Sequence, residues 1–305
     1  MFNQRYWKSK ATLIAFLLGF LLLISHLMTL LSLDKFGGKQ TVGFFFFSPY
    51  MNWLPVDISS NLFVVWSMAA PLLSVLAGGM FAASEGRKGF SKMLRTRLSF
   101  TAYRHKTLLA GGFWGALLPI FLLTVDFLMQ FLIQPNVAPN AWLNNNVAIS
   151  YLGFFGAFFY AHPGWYVVGW ILLAGVYGAS YAIFSNYLYF ETKKMTISLL
   201  GVMVLQLMLL GLSMILGQSL APIGYMQVVP TIGQPSLAYV FLWPLVLIAL
   251  SLLAFHRPAV EVWCDGEFET AYWRLWFITK MAEFFVWFDE SCVLAQFDFH
   301  WPHCQ

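Results

Sequence analysis

Six long apolar runs, separated by shorter polar stretches, dominate the chain. They cover about 11–33, 62–83, 107–133, 165–189, 195–217 and 237–255. A helix that crosses the hydrocarbon core of a bilayer needs roughly 20 apolar residues. Each run is near that length, so the pattern predicts an all-α, polytopic membrane protein with six transmembrane helices. Pro71, Pro119 and Pro244 fall inside the runs. Membrane helices tolerate proline because neighbouring helices can satisfy the freed backbone groups. The first run is too long for the apolar core of a signal peptide, and no small-residue cleavage site follows it, so it reads as a retained span. No internal repeat is visible.

The polar stretches are of two kinds. Arg5, Lys8 and Lys10 precede the first run. Arg87, Lys88, Lys92, Arg95, Arg97, Arg104 and Lys106 follow the second, and Lys193 and Lys194 follow the fourth. The stretches on the other side hold only Lys35 and Lys39, with many Phe, Tyr, Trp, Asn and Pro residues. Positive charge gathers on the cytosolic side of membrane proteins. This asymmetry places both termini and the 84–106 and 190–194 loops in the cytosol. The uncharged stretches 34–61, 134–164 and 218–236 would lie at headgroup level or dip back toward the core. Gly153–Ala161 is apolar but too short to span, which suggests a re-entrant or interfacial helix.

Composition supports this picture. Hydrophobic residues make up 60% of the 305 and charged residues 10%, whereas a soluble domain carries about a quarter charged residues. The net charge of +4 is too small to argue for nucleic acid. The chain divides into a membrane domain, 1–255, and an aromatic and acidic tail, 256–305, on the cytosolic side or at the interface. Arg274, Lys280 and Glu283 argue against a seventh span in the tail, since each would be costly in mid-bilayer. Cys264, Cys292 and Cys304 all lie in it, where a disulfide framework is not expected. Cys292, His300, His303 and Cys304 are zinc-type ligands, but their spacing matches no standard site. No metal is expected.

The segment SEGRKGFSKMLRTRLSFTAYRHKTLLAGG, 84–112, is the most informative. On a helix, Phe90, Met93, Leu94 and Leu98 share one face, and Lys92, Arg95, Thr96 and Ser99 another. It runs without proline through Tyr103 into the third span. A basic amphipathic helix of this kind suits anionic lipid headgroups or a cytosolic partner. Small residues ending the second span, an acidic–basic turn, this helix, and the lead into Leu-Leu-Ala-Gly-Gly together resemble an exporter-type ABC transporter permease. The six-span layout is similar, as are the short FETKKM turn and the 218–236 segment before the last span. The helix expected before the first span is cut to about ten residues, and the acidic tail is not a usual part of that family.

The resemblance implies a coupling helix near 87–104 that docks on a separate cytosolic ATP-binding cassette subunit. Arg87, Lys88, Phe90, Lys92, Met93, Leu94, Arg95, Arg97, Leu98, Lys193 and Lys194 would make that contact. ATP and Mg would bind the partner, because no G-x-x-x-x-G-K-[ST] motif is present here. This chain would hold no cofactor of its own and perform no bond chemistry. A second copy or a homologous permease would complete the path, with membrane lipids around it and no nucleic acid. The protein would be a multi-pass component of a bacterial cell membrane, exporting a hydrophobic or amphipathic substrate such as a lipid, a peptide antibiotic or a drug. An immunity or sensor protein acting without an ATPase is the alternative. An intramembrane lipid-modifying enzyme ranks behind both, because the spans offer few ionisable groups.

His26 lies well inside the first run, and Asp126 lies toward the outer end of the third. Burying such groups is costly, so they are candidates for the substrate path. They could meet a substrate or each other. The structural alternatives are a helix–helix hydrogen bond for His26 and an outer-interface carboxylate for Asp126. Neither is expected to pair with a second carboxylate.

Overall fold

The structure is a computed structural model that describes residues 9–36, 48–57, 61–87, 100–140, 149, 155–217 and 237–253. The chain divides into two compact units, Met1–Arg257 and Pro258–Gln305, and every described residue lies in the first. The described residues form helices and connections with no strand. In chain order the helices are α1 (Lys10–Phe36), α2 (Leu62–Ser74), a π-helical turn (Val75–Gly79), α3 (Phe81–Arg87), α4 (Phe100–Ile133), α5 (Gly156–Ala161), α6 (Pro163–Thr192), α7 (Met195–Leu216) and α8 (Leu237–Leu253).

Five stretches are long and apolar enough to cross a membrane: Lys10–Ser32, Leu62–Gly79, Ala102–Ile133, Pro163–Thr192 and Met195–Leu216. The sixth run appears as α8, an apolar helix of 17 residues. At about 1.5 Å per residue it is ~25 Å long, a little under the ~30 Å thickness of the hydrocarbon core. The third run begins earlier than its hydropathy suggests. Helix α4 starts at Phe100, so Tyr103 and Arg104 belong to the same rigid rod as the span. The apolar piece before the fourth run is the short helix α5.

Along the spans many large apolar side chains face outward, while polar ones are gathered among the buried residues. Leu13, Leu17, Leu21, Ile24 and Met28 of α1 are exposed, while Thr12 and His26 are buried. Ser180, Ser185 and Asn186 of α6, Ser198, Gln206 and Ser213 of α7, and Ser251 of α8 are buried too. In water this arrangement would be inverted. In lipid, apolar side chains face the tails, and small and polar ones hold the helices together.

Helix α6 sits at the centre, packed against α2, α4, α7, α8 and the π-turn. Pro163 occupies its first turn, where a missing N–H is harmless. Its C-cap is Lys193, in the left-handed region at φ 54°, whose N–H returns to Tyr189 O at 2.9 Å. That reversal sends the chain directly into α7. Ser185 and Ser198 then lock the two helices reciprocally: Ser185 Oγ donates to Ser198 O at 2.6 Å and Ser198 Oγ to Ser185 O at 3.0 Å.

The second run is not one continuous helix. The ladder slips to a π-turn at Val75–Gly79, where Met80 N–H reaches back to Val75 O. Asn186 of α6 fills the break. Its Nδ2 donates to Gly78 O at 2.9 Å, and its Oδ1 accepts from Ala82 N–H at 3.4 Å. An unbroken α-helix would join those two backbone groups directly. Thr12 Oγ1 donates to the neighbouring Ala77 O at 3.1 Å. Glycines make room for this junction. A Cβ on Gly111 would lie 2.7 Å from Gly78 O, and one on Gly115 would lie 2.6 Å from Gly178 O.

Proline in α8 is handled in the same way. Pro244 has no N–H to offer the carbonyl four residues earlier. That carbonyl, Val240 O, instead accepts the Tyr177 hydroxyl at 2.7 Å. The π-turn and the Pro244 position are thus both answered by a side chain from α6.

Candidate functional sites at the two ends of the bundle

Two constellations occupy opposite ends of the bundle. At one end, His26 of α1 lies between two carboxylates. Its Nδ1 is 2.7 Å from Asp126 Oδ1 of α4, and its Nε2 is 3.2 Å from Asp57 Oδ2. Asp126 Oδ2 also accepts the Leu54 N–H at 2.6 Å. All three side chains are shut off from solvent, with His26 at 0%, Asp57 at 1% and Asp126 at 4% exposure.

The sequence expectation is met in one respect and corrected in two. His26 and Asp126 do meet. Asp126 is not an interface carboxylate, because it is buried against α1 and the 48–57 segment. His26 pairs with two carboxylates, not with one or none. Asp57 is the residue the sequence reading missed. It lies in a stretch that looks like an ordinary interfacial loop. The signal was the apolar run Trp-Leu-Pro-Val that precedes it, which is a poor fit to a solvated loop.

The hydrogen-bond inventory sets the least number of protons this cluster holds. An imidazolium satisfies both contacts by donating from both ring nitrogens. A neutral ring satisfies both only if one carboxyl carries a proton. In either arrangement the three groups share at least two protons, one for each contact. The two ring nitrogens point at separate carboxylates, so the three side chains do not converge on a point where a cation could sit. Among the described residues no group of three or more His, Cys, Asp or Glu could hold a metal ion.

The other end carries the basic loops. Arg104 Nη2 donates to Glu191 Oε1 at 3.0 Å, tying the foot of α4 to the end of α6. The Arg104 guanidinium and the Lys193 ammonium lie 5.6 and 5.7 Å from the centroid of the Phe190 ring, within cation–π range. Tyr103 meets Phe190 edge to face and donates its hydroxyl to Glu85 at the end of α3, at 2.9 Å. Residues 85, 103–104 and 190–193 therefore form one cluster. Lys193 and Lys194 are exposed there, as are His105 and Lys106.

Arg87 is the last residue of α3. Lys88, Phe90, Lys92, Met93, Leu94, Arg95, Arg97 and Leu98 lie outside the described residues, as does the tail with its cysteines. Asp126 stands about 33 Å from Arg104 along α4 at about 1.5 Å per residue, so the two constellations are separated by roughly the thickness of a bilayer core.

Helix length, apolar outer faces and polar groups buried between the helices together define a multi-pass, all-α membrane protein. Compared with protein-family models, curated proteins and solved structures, the chain matches none.

Proposed function

We propose that this chain is the membrane-spanning permease subunit of an ATP-driven exporter. In this reading it has six spans with both termini in the cytosol of a bacterial cell, and it docks a separate ATP-binding cassette subunit through its basic loops. Two copies, or this chain and a homologous partner, line the path of a hydrophobic or amphipathic substrate. The chain itself carries out no bond chemistry.

The observation that supports this most is the cluster at the basic end. A partner that pushes on a cytosolic loop must move the spans, and for that the loops must be rigidly joined to them. Arg104 is part of the α4 rod, and its bond to Glu191 couples that rod to the α6–α7 turn. The loop beginning at Arg87 is thereby bracketed by fixed points, Glu85 on one side and Tyr103 and Arg104 on the other. An interfacial helix that only binds lipid headgroups has no need of this bracing.

The test separates the two by which face of the 87–104 segment matters. Met93→Ser with Leu94→Ser removes apolar contacts worth roughly 1.5–3 kcal/mol each if buried in a partner's cleft. Under the permease reading this double variant inserts normally but loses the ATPase. Arg95→Glu with Arg97→Glu weakens the complex in a salt-dependent way, because exposed charges are screened over about 10 Å at 0.1 M. If the serine variant is silent and the glutamate variant responds only to anionic lipid content, the segment is a lipid-binding helix and the proposal fails.

A further inference from the structure

The His26 cluster is closed on one side and continued on the other. Toward the basic loops it meets an apolar layer. Leu118 and Leu122 of α4 are fully buried and Leu123 nearly so, and Leu122 fills the space that a side chain at Gly19 of α1 would need. Toward the opposite end α4 turns polar. Gln130 and Gln134 follow Asp126 at intervals of four, which sets the three on successive turns, each about 6 Å on from the last. The bond from Gln134 N–H to Gln130 O, at 2.8 Å, carries that register past the end of the helix. Gln130 is 1% exposed and Gln134 7%. Neither Oε1 has a hydrogen-bond partner among the described residues. Directly beyond, residues 135–138 are exposed, so the row runs from the surface to the cluster.

A buried amide oxygen left unpaired is costly. Two of them, one turn apart and leading to a carboxylate, share one remedy. Water held along the row satisfies them, as it does other buried polar groups that protein does not reach. A row of this kind inside a membrane protein also relays protons.

The cluster at its inner end has room for one more proton. Its two hydrogen bonds need at least two. A third, bonded to a carboxylate oxygen of Asp57 or Asp126, breaks neither contact, because a protonated carboxyl keeps a carbonyl oxygen that accepts from the ring. The charge of the cluster then rises by one. The surrounding elements add little charge of their own. α2 and the π-turn, which pack on α1, carry no ionisable residue. From Thr107 to Asn140 there is none but Asp126, and α1 has only Lys10, Asp34 and Lys35, at its ends. The 48–57 segment adds Tyr50, which rests on Phe127 and Phe131.

We propose that Asp126, Gln130 and Gln134 line a hydrated proton path from the end of the bundle opposite the basic loops, and that the cluster of His26, Asp57 and Asp126 binds and releases a proton through it. The chain thus holds a proton site within the membrane that opens to one side. Neither ATP nor a transported substrate takes part, so the site stands whether or not the permease reading does.

The experiment uses the full chain with His105, His162, His256, His300 and His303 replaced by Gln, which leaves His26 as the one histidine. His105 and His162 are both exposed. With nitrogen-15 in the ring, magnetic resonance in lipid nanodiscs reads the ring shifts against pH and the rate at which the ring N–H exchanges with water. The shifts should move as the cluster takes its proton. Gln130→Leu should slow the exchange at least about tenfold and leave the titration in place. Gln130→Ser, smaller but still able to hold water, should stay within about threefold of the glutamine chain. In vesicles that hold the protein in one orientation, the shifts should follow the pH imposed opposite the basic loops and ignore the pH on the basic side.

Ring shifts that stay fixed from alkaline to acid overturn the proton site. Shifts that follow the pH of the basic side overturn the path. Exchange in Gln130→Leu within about twofold of the glutamine chain overturns it too, as does equal slowing by Leu and Ser, which would make Gln130 a packing residue. Should the Gln130 variants fail to fold, the vesicle measurement decides, since it needs Gln130 and Gln134 intact.

Discussion

Replacing Asn186 tests the account of the broken second span. The side chain does the work of a missing backbone hydrogen bond, joining Gly78 O to Ala82 N–H across the π-turn. Asn186→Ala leaves both groups buried without that partner. An unsatisfied buried polar group costs about 1–3 kcal/mol. Polar contacts between membrane helices measure about 0.6 kcal/mol on average, because the unfolded chain in a membrane finds other partners. The Ala82 contact is long at 3.4 Å, so most of the loss falls on Gly78 O. The expected destabilisation is therefore about 1–3 kcal/mol, toward the lower end of two orphaned groups.

A second variant makes the reasoning specific. Asn186→Asp keeps the acceptor for Ala82 N–H but turns a carboxylate oxygen toward the Gly78 carbonyl. It should destabilise more than alanine does, although it is the closer match in shape. Reversible unfolding in mixed micelles measures both. A loss under about 0.5 kcal/mol for alanine, where about 1–3 is expected, or an aspartate variant as stable as the asparagine protein, would refute the idea that Asn186 repairs the ladder.

Three further outcomes follow from the packing. Gly115→Val should prevent stable folding, since even a Cβ there would lie 2.6 Å from Gly178 O on the facing helix; the yield of monodisperse protein reads this. Gln206 is buried in α7 and neither amide atom finds a hydrogen-bond partner among the described residues, so Gln206→Leu should hold or raise the melting temperature, and a fall of several degrees would show that the amide is satisfied. Tyr177→Phe removes the donor that covers Val240 O beside Pro244; it should cost about 1 kcal/mol or a little more, and combining it with Pro244→Ala, which restores the helical N–H, should recover most of that loss.

Much of this architecture is legible in the sequence because lipid imposes one dominant rule, that a span be apolar over its whole length. The runs at 11–33, 165–189 and 195–217 became α1, α6 and α7 for that reason. The pairing of His26 with Asp126 was also within reach, as two ionisable residues set among apolar runs have few other ways to be accommodated. The break at Val75–Gly79 was not. It depends on Asn186, more than a hundred residues away, and on glycines that hydropathy counts only as weakly apolar. Asp57 was missed for a related reason. A single acid in a loop is unremarkable until the loop is seen to fold inward, and nothing local to 48–57 names the histidine it meets. Arg104 and Glu191 read as ordinary loop charges; only the antiparallel packing of α4 against α6 brings them to one place.

The most direct test of the central claim is the composition and activity of the protein purified gently from its own membranes. The permease account predicts that the chain comes away with a nucleotide-hydrolysing subunit in equal number, that the complex hydrolyses ATP, and that reversing Arg104 to Glu uncouples hydrolysis from substrate while reversing Glu191 to Arg in the same chain restores it. An intact bundle that purifies alone from membranes, with no associated ATP hydrolysis in any lipid, would contradict it.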